Sequence, residues 1–270
     1  MKSLVNKETY FSRIREYKLL AKKEVGQNFL VDPSLAEKTV SLLLDPSEGP
    51  ILEIGPGAGS LTYFLIEKGY RGTAVDIDEG LVLKLQEDFA FDSDFKIERA
   101  NALKVDYRPY VQLIGNLPYY ITSSLIETFL FEAPKAKRGV FMVQKEAYER
   151  LTAGPGTRDY SPLSIMFSLL GQAKKAFLVP PSSFQPAPHV ESLVFAYDFL
   201  EGRDLERAKE FHAFLKKCFA LRRKTLANNL KKFYPAEILD KSLKELGLQS
   251  ARAEALKSPL LETLFQKLSN

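Results

Sequence analysis

One cysteine and two histidines in 270 residues remove several chemistries at once. Cys218 has no partner for an internal disulfide, and with only His189 and His212 beside it there are too few soft ligands for a cysteine/histidine zinc cluster. No metal is expected. Neither histidine sits in a triad-like context, so both read as packed or solvated side chains, and Cys218 in "FHAFLKKCFAL" reads as a core position on a helix. No apolar run approaches the roughly 20 residues of a membrane-spanning helix, and the first 24 residues lack the apolar segment of a signal peptide. The expectation is a cytoplasmic chain with no membrane partner. Its length leaves room for one large domain, or a large and a small one, with a real hydrophobic core.

The net charge of +4 is modest, and its distribution says more than its sum. Residues 1 to 24 hold seven Lys/Arg against three Asp/Glu, and residues 201 to 270 hold fifteen against nine, so two basic ends flank an acidic middle. Clustered Lys/Arg suits a polyanion, bound through phosphate contacts that weaken with salt. Charge alone leaves plain solubility open as the other explanation.

Short apolar and β-branched runs alternate with segments of helical period: "ILEI" (51 to 54), "GTAVD" (72 to 76), "FKIE" (95 to 98), "VQLIG" (111 to 115), "VFMVQ" (140 to 144), "AFLV" (176 to 179) and "SLVFAYDF" (192 to 199). That alternation predicts an α/β fold, a mainly parallel seven-stranded sheet with helices on both faces. The last two runs are joined by the proline-rich "PPSSFQPAPHVE", too short for a crossover helix, which predicts an antiparallel pair. After "EGRD" only helical period remains, in "LERAKEFHAFLKKCFALRRKTLANNLKKF", "AEILDKSLKELGL" and "SPLLETLFQKL". Tyr234 and Pro235 break the first of these from the second, and Gly247 caps the second. The division expected is a basic N-terminal segment (1 to 24), a catalytic domain (25 to 200) and a small all-helical domain (203 to 270).

"ILEIGPGAGSLT" sets Gly55, Gly57 and Gly59 between a strand and a helix beginning near Ser60. Glycine is needed where the backbone turns sharply and a ligand must approach the main chain. Asp76 ends the next strand, where a carboxylate can accept from ribose hydroxyls. These features predict a nucleoside-cofactor site. The dinucleotide fingerprint G-x-G-x-x-G wants its third glycine one residue later, where Ser60 stands. The E-x-G-x-G-x-G spelling instead resembles the S-adenosylmethionine loop of Rossmann-like class I methyltransferases.

A second loop follows the fourth apolar run, in "LIGNLPYYITSSL". An exocyclic amine on a nucleobase is a poor nucleophile because its lone pair is delocalised into the ring. Acceptors for both of its protons favour a pyramidal nitrogen whose lone pair points at an electrophile. The side-chain oxygen of Asn116 and the backbone carbonyl of Leu117 are suitable acceptors, Pro118 fixes the turn that presents them, and Tyr119 offers a ring for stacking. A sulfonium methyl is already activated, so transfer needs positioning more than acid/base chemistry.

Seven motifs, "KKEVGQNFLVD", "LEIGPGAGSLT", "AVDID", "IGNLPYYIT", "MVQKEAYERL", "VPPSSFQPAPHVES" and "RRKTLANNL", stand in the order found in bacterial small-subunit ribosomal RNA adenine N6-dimethyltransferases, which the chain resembles from about residue 20 to 265. The resemblance implies dimethylation of two adjacent adenosines near the 3′ end of 16S ribosomal RNA, from S-adenosylmethionine, within an assembling small subunit, by a monomer. It implies cofactor contacts at Asn28, Leu30, Gly55, Gly57, Asp76 and Asn116. Asn101 falls where the family usually carries Asp beside the cofactor's adenine; its amide oxygen still accepts from an amine but lacks the charge. Val25 stands where an aromatic or leucine is more usual. Asn116, Leu117, Pro118 and Tyr119 match the target-amine motif, and Phe184 looks like the residue facing the other side of the target base. Two rings around an extruded adenine offset unstacking at roughly 1 to 3 kcal/mol per base.

"ALRRKTLANNLKK" is expected to put Arg222, Arg223, Lys224, Lys231 and Lys232 on a helix and its end, where they meet RNA phosphate. "TAGPGTRDYSPLS" reads as a mobile loop with a helix start at Ser161 and Pro162, and Arg158 there is a further RNA candidate. Three alternatives remain: the related large-subunit methylase, an assembly factor without transfer activity, and a nicotinamide-dependent oxidoreductase.

Overall fold

The apolar runs become strands where helices cover the sheet, even though a polar residue such as Glu53 stands inside one. Ile51–Ile54 is buried at all four positions, as befits a parallel strand covered on both faces. The computed structural model describes residues 4–16 and 27–269 and divides them into two compact units, 1–148 with 171–201 and 149–170 with 202–270.

The first unit is built on a seven-stranded sheet. In chain order its strands are β2 (Ile51–Ile54), β3 (Gly72–Asp76), β4 (Phe95–Arg99), β5 (Gln112–Asn116), β6 (Arg138–Gln144), β7 (Gly171–Val179) and β9 (Ser192–Phe199), and in space they run β4-β3-β2-β5-β6-β9-β7. β2 to β6 are parallel, and β9 lies antiparallel between β6 and β7. Crossovers pass through α3 (Ser60–Glu67), α4 (Glu79–Asp88) and α5 (Thr122–Glu132). The chain steps outward from β2 to β4 and then returns to β5 on the other side of β2. That reversal leaves a crevice at the carboxyl ends of β2 and β5, where open α/β sheets bind ligands. A two-stranded ribbon pairs β1 (Phe29–Leu30) with β8 (Phe184–Gln185), and α2 (Pro33–Val40) starts under an Asp32 cap that accepts from the Ser34 and Leu35 amides.

The N-terminal segment, expected as a basic arm, contributes to this core. α1 (Lys7–Glu16) buries Tyr10, Phe11 and Ile14 against Tyr63, Phe64 and Phe89.

The second unit contains α7 (Pro162–Leu169), α8 (Leu205–Cys218), α9 (Leu226–Leu230), α10 (Ala236–Glu245) and α11 (Ser258–Ser269). α6 (Lys145–Leu151) carries the chain from the first unit into it. α7 begins where the sequence places it, with Ser161 and Ser164 capping reciprocally and Pro162 in the first turn. Phe211 and Phe214 of α8 pack on Phe265 of α11 at 5.3 and 5.4 Å, and Cys218 and His212 are buried beside them. Gly247 has φ 67°, the left-handed stop expected past α10.

Two expectations are corrected here. Residues 149–170 belong with the helical unit rather than with the sheet: the Gly156 amide donates to the Glu254 carbonyl at 2.8 Å and the Tyr160 hydroxyl to that of Leu256 at 2.9 Å. The long helix expected over 205 to 233 stops at Cys218. Buried Asn229 accepts from the Leu221 amide at 2.9 Å and donates to its carbonyl at 3.2 Å, while Thr225 caps a fresh start at α9. Such side-chain bonds compete with a continuous helix. Arg222, Arg223 and Lys224 therefore lie on a turn. Among the described residues, no helix is long and apolar enough to cross a membrane.

Candidate active site

The loops after β2, β3 and β5 line one cavity of about 380 Å³, a size suited to a nucleoside cofactor. Of the residues that the sequence assigns to the cofactor and the target amine, Asn28, Leu30, Gly55, Gly57, Asp76, Asn101, Asn116, Leu117, Pro118 and Tyr119 all line it. Val25 and its basic neighbours lie outside the described residues.

The glycine loop can take this shape only with glycine. Gly57 has φ 56°, and a Cβ there would sit 3.0 Å from the Phe29 ring; Gly59 has φ 82°, and a Cβ there would sit 2.6 Å from Leu85. Ser60, which stands where the dinucleotide pattern wants glycine, is used otherwise. Its hydroxyl donates to the Leu30 carbonyl and ties α3 to β1.

Asp76 ends β3 with one carboxylate oxygen accepting from the Asp78 amide at 2.9 Å and the other from the Gly57 amide at 3.4 Å. Burial raises its pKa above the ordinary aspartate value, with those two amides pulling the other way. The second aspartate of "AVDID" acts elsewhere, since Asp78 caps α4 through the Gly80 and Leu81 amides. Asn101 accepts from the Leu103 amide at 3.0 Å, so one lone pair of its side-chain oxygen is already engaged locally.

At the end of β5, the Asn116 amide nitrogen donates to the Asn28 carbonyl at 3.1 Å, which turns its oxygen the other way. Leu117 is anchored by its amide to the Met142 carbonyl at 2.9 Å. Among the described residues no hydrogen bond reaches the Leu117 carbonyl oxygen. The Tyr119 hydroxyl is 3.0 Å from the Ser192 hydroxyl, and burial raises its pKa above the usual tyrosine value. The two loops touch: a Cβ on Gly55 would lie 3.7 Å from the Asn116 carbonyl oxygen.

Phe184 is not brought to this cavity. Its ring is 4% exposed, packed in the core, and its backbone pairs with Leu30 in the β1–β8 ribbon. Proline on its flanks suggested a displayed ring, whereas the strand pairing turns it inward.

Two exposed lining residues, Ile77 and Leu103, are missed by sequence reasoning, and a third, Tyr120, stands in the quoted Asn-Leu-Pro-Tyr stretch without an assigned role. Ile77 is 61% exposed and Leu103 is also exposed, giving apolar faces beside Asp76; Tyr120 is 66% exposed beside Tyr119. For Ile77 the signal was an apolar residue directly after a strand-ending acid. The set fits a sulfonium nucleoside: a carboxylate for ribose hydroxyls, apolar faces for a purine, glycine backbone for close approach, and acceptors at the end of β5.

Residues 18–266 match the family described as ribosomal RNA adenine dimethylase. The chain belongs to the ribosomal RNA adenine dimethylase family. A ribosomal RNA small subunit methyltransferase A of Koribacter versatilis (strain Ellin345) is 39% identical, with 92% of this chain and 94% of the relative aligned. Among solved structures, a dimethyladenosine transferase from Plasmodium falciparum superposes with a TM-score of 0.78 at 25% identity, covering 88% of this chain and 96% of that one. The 23S rRNA methyltransferase ErmE superposes with a TM-score of 0.65 at 26% identity, covering 90% and 100%. As a family member this chain is an S-adenosylmethionine-dependent methyltransferase acting on adenine in ribosomal RNA.

Asp76→Ala is expected to weaken S-adenosylmethionine binding about 100-fold, since hydrogen bonds to a charged acceptor are worth about 1.5 to 3 kcal/mol each. Calorimetric titration of the folded variant checks this, and an unchanged dissociation constant would remove Asp76 from the site.

Proposed function

We propose that the chain dimethylates N6 of two adjacent adenosines near the 3′ end of 16S ribosomal RNA, within an assembling small subunit, as a cytoplasmic monomer. The observation that carries this reading is the pair of acceptors at the end of β5. The Asn116 side-chain oxygen is turned away from Asn28, and the neighbouring Leu117 carbonyl oxygen carries no hydrogen bond among the described residues. Two such acceptors suit the two protons of an exocyclic amine and direct its lone pair across the cavity toward the glycine loop. Bound S-adenosylmethionine supplies an electrophilic methyl on positively charged sulfur. Held beside Asp76 and the glycine loop, it would give up that methyl to the amine that Asn116 and Leu117 orient, and the amine would lose one proton in exchange.

Neither acceptor ionises, so the site works by orientation. A once-methylated amine retains one proton, and one acceptor suffices to hold it for the second round. Tyr119, fixed through Ser192, and Tyr120 offer ring surface for an extruded base. Asp76 holds the ribose, and Gly55, Gly57, Asn28, Leu30 and Asn101 complete the cofactor's surroundings.

Arg158, Arg223, Lys224 and Lys231 are exposed and suit RNA phosphates. Arg222 also supports the local structure, because its guanidinium donates to the Thr157 carbonyl at 2.8 Å and to that of Arg158. It holds the 152–161 loop in place.

The small-subunit assignment draws support from curated relatives of that name at 39% identity. Offering unmodified small-subunit and large-subunit RNA separately tests it. Methylation of the small-subunit substrate is expected, and transfer to the large-subunit RNA alone would overturn the assignment.

A further inference from the structure

The glycine loop takes three left-handed residues within five, at φ 65°, 56° and 82° for Gly55, Gly57 and Gly59. Glycine reaches these angles without steric cost but is the residue least held by its own chemistry. A loop that must meet a ligand in one shape therefore needs fixing from outside. Part of that fixing comes from β3, through the Asp76 carboxylate on the Gly57 amide and the Val75 carbonyl on the Gly55 amide. Another part comes from α1. The Tyr10 hydroxyl donates to the Ala58 carbonyl at 3.0 Å, across 48 residues of sequence.

Tyr10 is held firmly for this contact. It is 1% exposed, stacks on Tyr63 with ring centroids 5.0 Å apart, and leans on Phe89 at 5.5 Å. Tyr10 and Leu85 also fill the space that a Cβ on Gly59 would need. α1 itself is pinned at both ends: the Tyr63 hydroxyl donates to the Val5 carbonyl at 2.9 Å, and Arg13 pairs with Asp88 at 3.9 Å. The family match begins at residue 18, so α1 lies ahead of it.

We propose that Tyr10 is a positioning residue for the cofactor site, and that α1 sets the affinity for S-adenosylmethionine by fixing the Ala58 carbonyl and with it the course of the loop through Gly59. Tyr10 touches no reacting atom. Its hydroxyl selects one loop geometry in the free protein, and without it the loop must be ordered when the ligand arrives, which lowers affinity. The inference rests on the cofactor reading of the cavity.

The test compares Tyr10→Phe with Tyr63→Phe. Each removes one hydroxyl and one hydrogen bond that involves the α1 segment, but only the first bond ends on the glycine loop. Binding of S-adenosylmethionine is measured by titration calorimetry, stability by thermal unfolding, and turnover at saturating cofactor. Tyr10→Phe is expected to raise the dissociation constant and the cofactor KM about five- to tenfold, the worth of roughly one hydrogen bond, with kcat unchanged. Hydrogen exchange at the Gly59 and Ser60 amides is expected to quicken. Both variants are expected to lower Tm by a similar amount, and Tyr63→Phe to leave the dissociation constant alone. Equal Tm losses with no change in cofactor affinity for either variant, or equal affinity losses for both, would overturn the proposal. An unaltered protein that binds no S-adenosylmethionine would instead overturn the cofactor reading beneath it.

Discussion

Asn116→Ala is expected to lower kcat for methyl transfer about 1,000-fold while the dissociation constant for S-adenosylmethionine stays within about threefold. Removing one preorganised polar group that acts on the reacting centre typically costs about 10²- to 10³-fold in kcat. Asn116 also fixes its own orientation through the Asn28 carbonyl, so the upper end is expected. Asn116→Asp tests the same point differently, because a carboxylate retains the acceptor but loses the donor to Asn28. Single-turnover transfer to bound small subunits, read beside cofactor titration, separates chemistry from binding. Near-normal kcat in Asn116→Ala would mean that the amine is oriented by other groups.

The second large effect concerns Glu53, the acid of the E-x-G-x-G-x-G motif. Its side chain is fully buried on β2, one oxygen accepts from the Thr62 hydroxyl at 2.8 Å, and the other has no hydrogen-bond partner. Burial pushes its pKa up to about 8; the Thr62 hydroxyl opposes this, and the neighbouring Asp76 charge adds to it. The folded-state pKa therefore lies above the ordinary value of 4.5. The stability that the neutral acid contributes is fully present below about pH 4.5 and is lost as pH rises toward 8. From pH 6 the loss is expected to be on the order of 1 kcal/mol per pH unit, slackening as pH nears 8. For a chain of this size that corresponds to a fall in Tm of roughly 5 to 10 °C over the interval. Glu53→Gln keeps the shape and removes the titration, so its Tm is expected to stay flat by comparison. Parallel slopes for the two proteins would show that Glu53 is ionised in the folded state.

The strands were legible where burial covers both faces. Ile51–Ile54, Gly72–Asp76 and Ser192–Phe199 coincide with their apolar runs, and the antiparallel final pair follows from the short connection between them. β7 starts at Gly171, five residues before the apolar "AFLV", because Lys174 and Lys175 sit on a sheet edge that needs no apolar side chain. The glycine loop and the Asn-Leu-Pro-Tyr turn were legible as turns from their spacing, and both line the one cavity, since glycine, acid, amide and proline each answer a local demand. Contacts between distant segments were not. Charge drew attention to residues 1 to 24 as a basic arm, while Tyr10, Phe11 and Ile14 formed one apolar stripe with a destination. Phe184 looked displayed among prolines, and only its pairing with Leu30 turns it inward. Likewise Asn229 closes a turn through Leu221, eight residues back, against the helical propensity of its neighbours.

The central claim is tested most directly by transfer of labelled methyl from S-adenosylmethionine to small ribosomal subunits that lack the modification, followed by nucleoside analysis of the RNA. N6,N6-dimethyladenosine at two neighbouring positions is the expected product. Tight subunit binding with no transfer, or a product that stops at monomethyladenosine, would contradict the account.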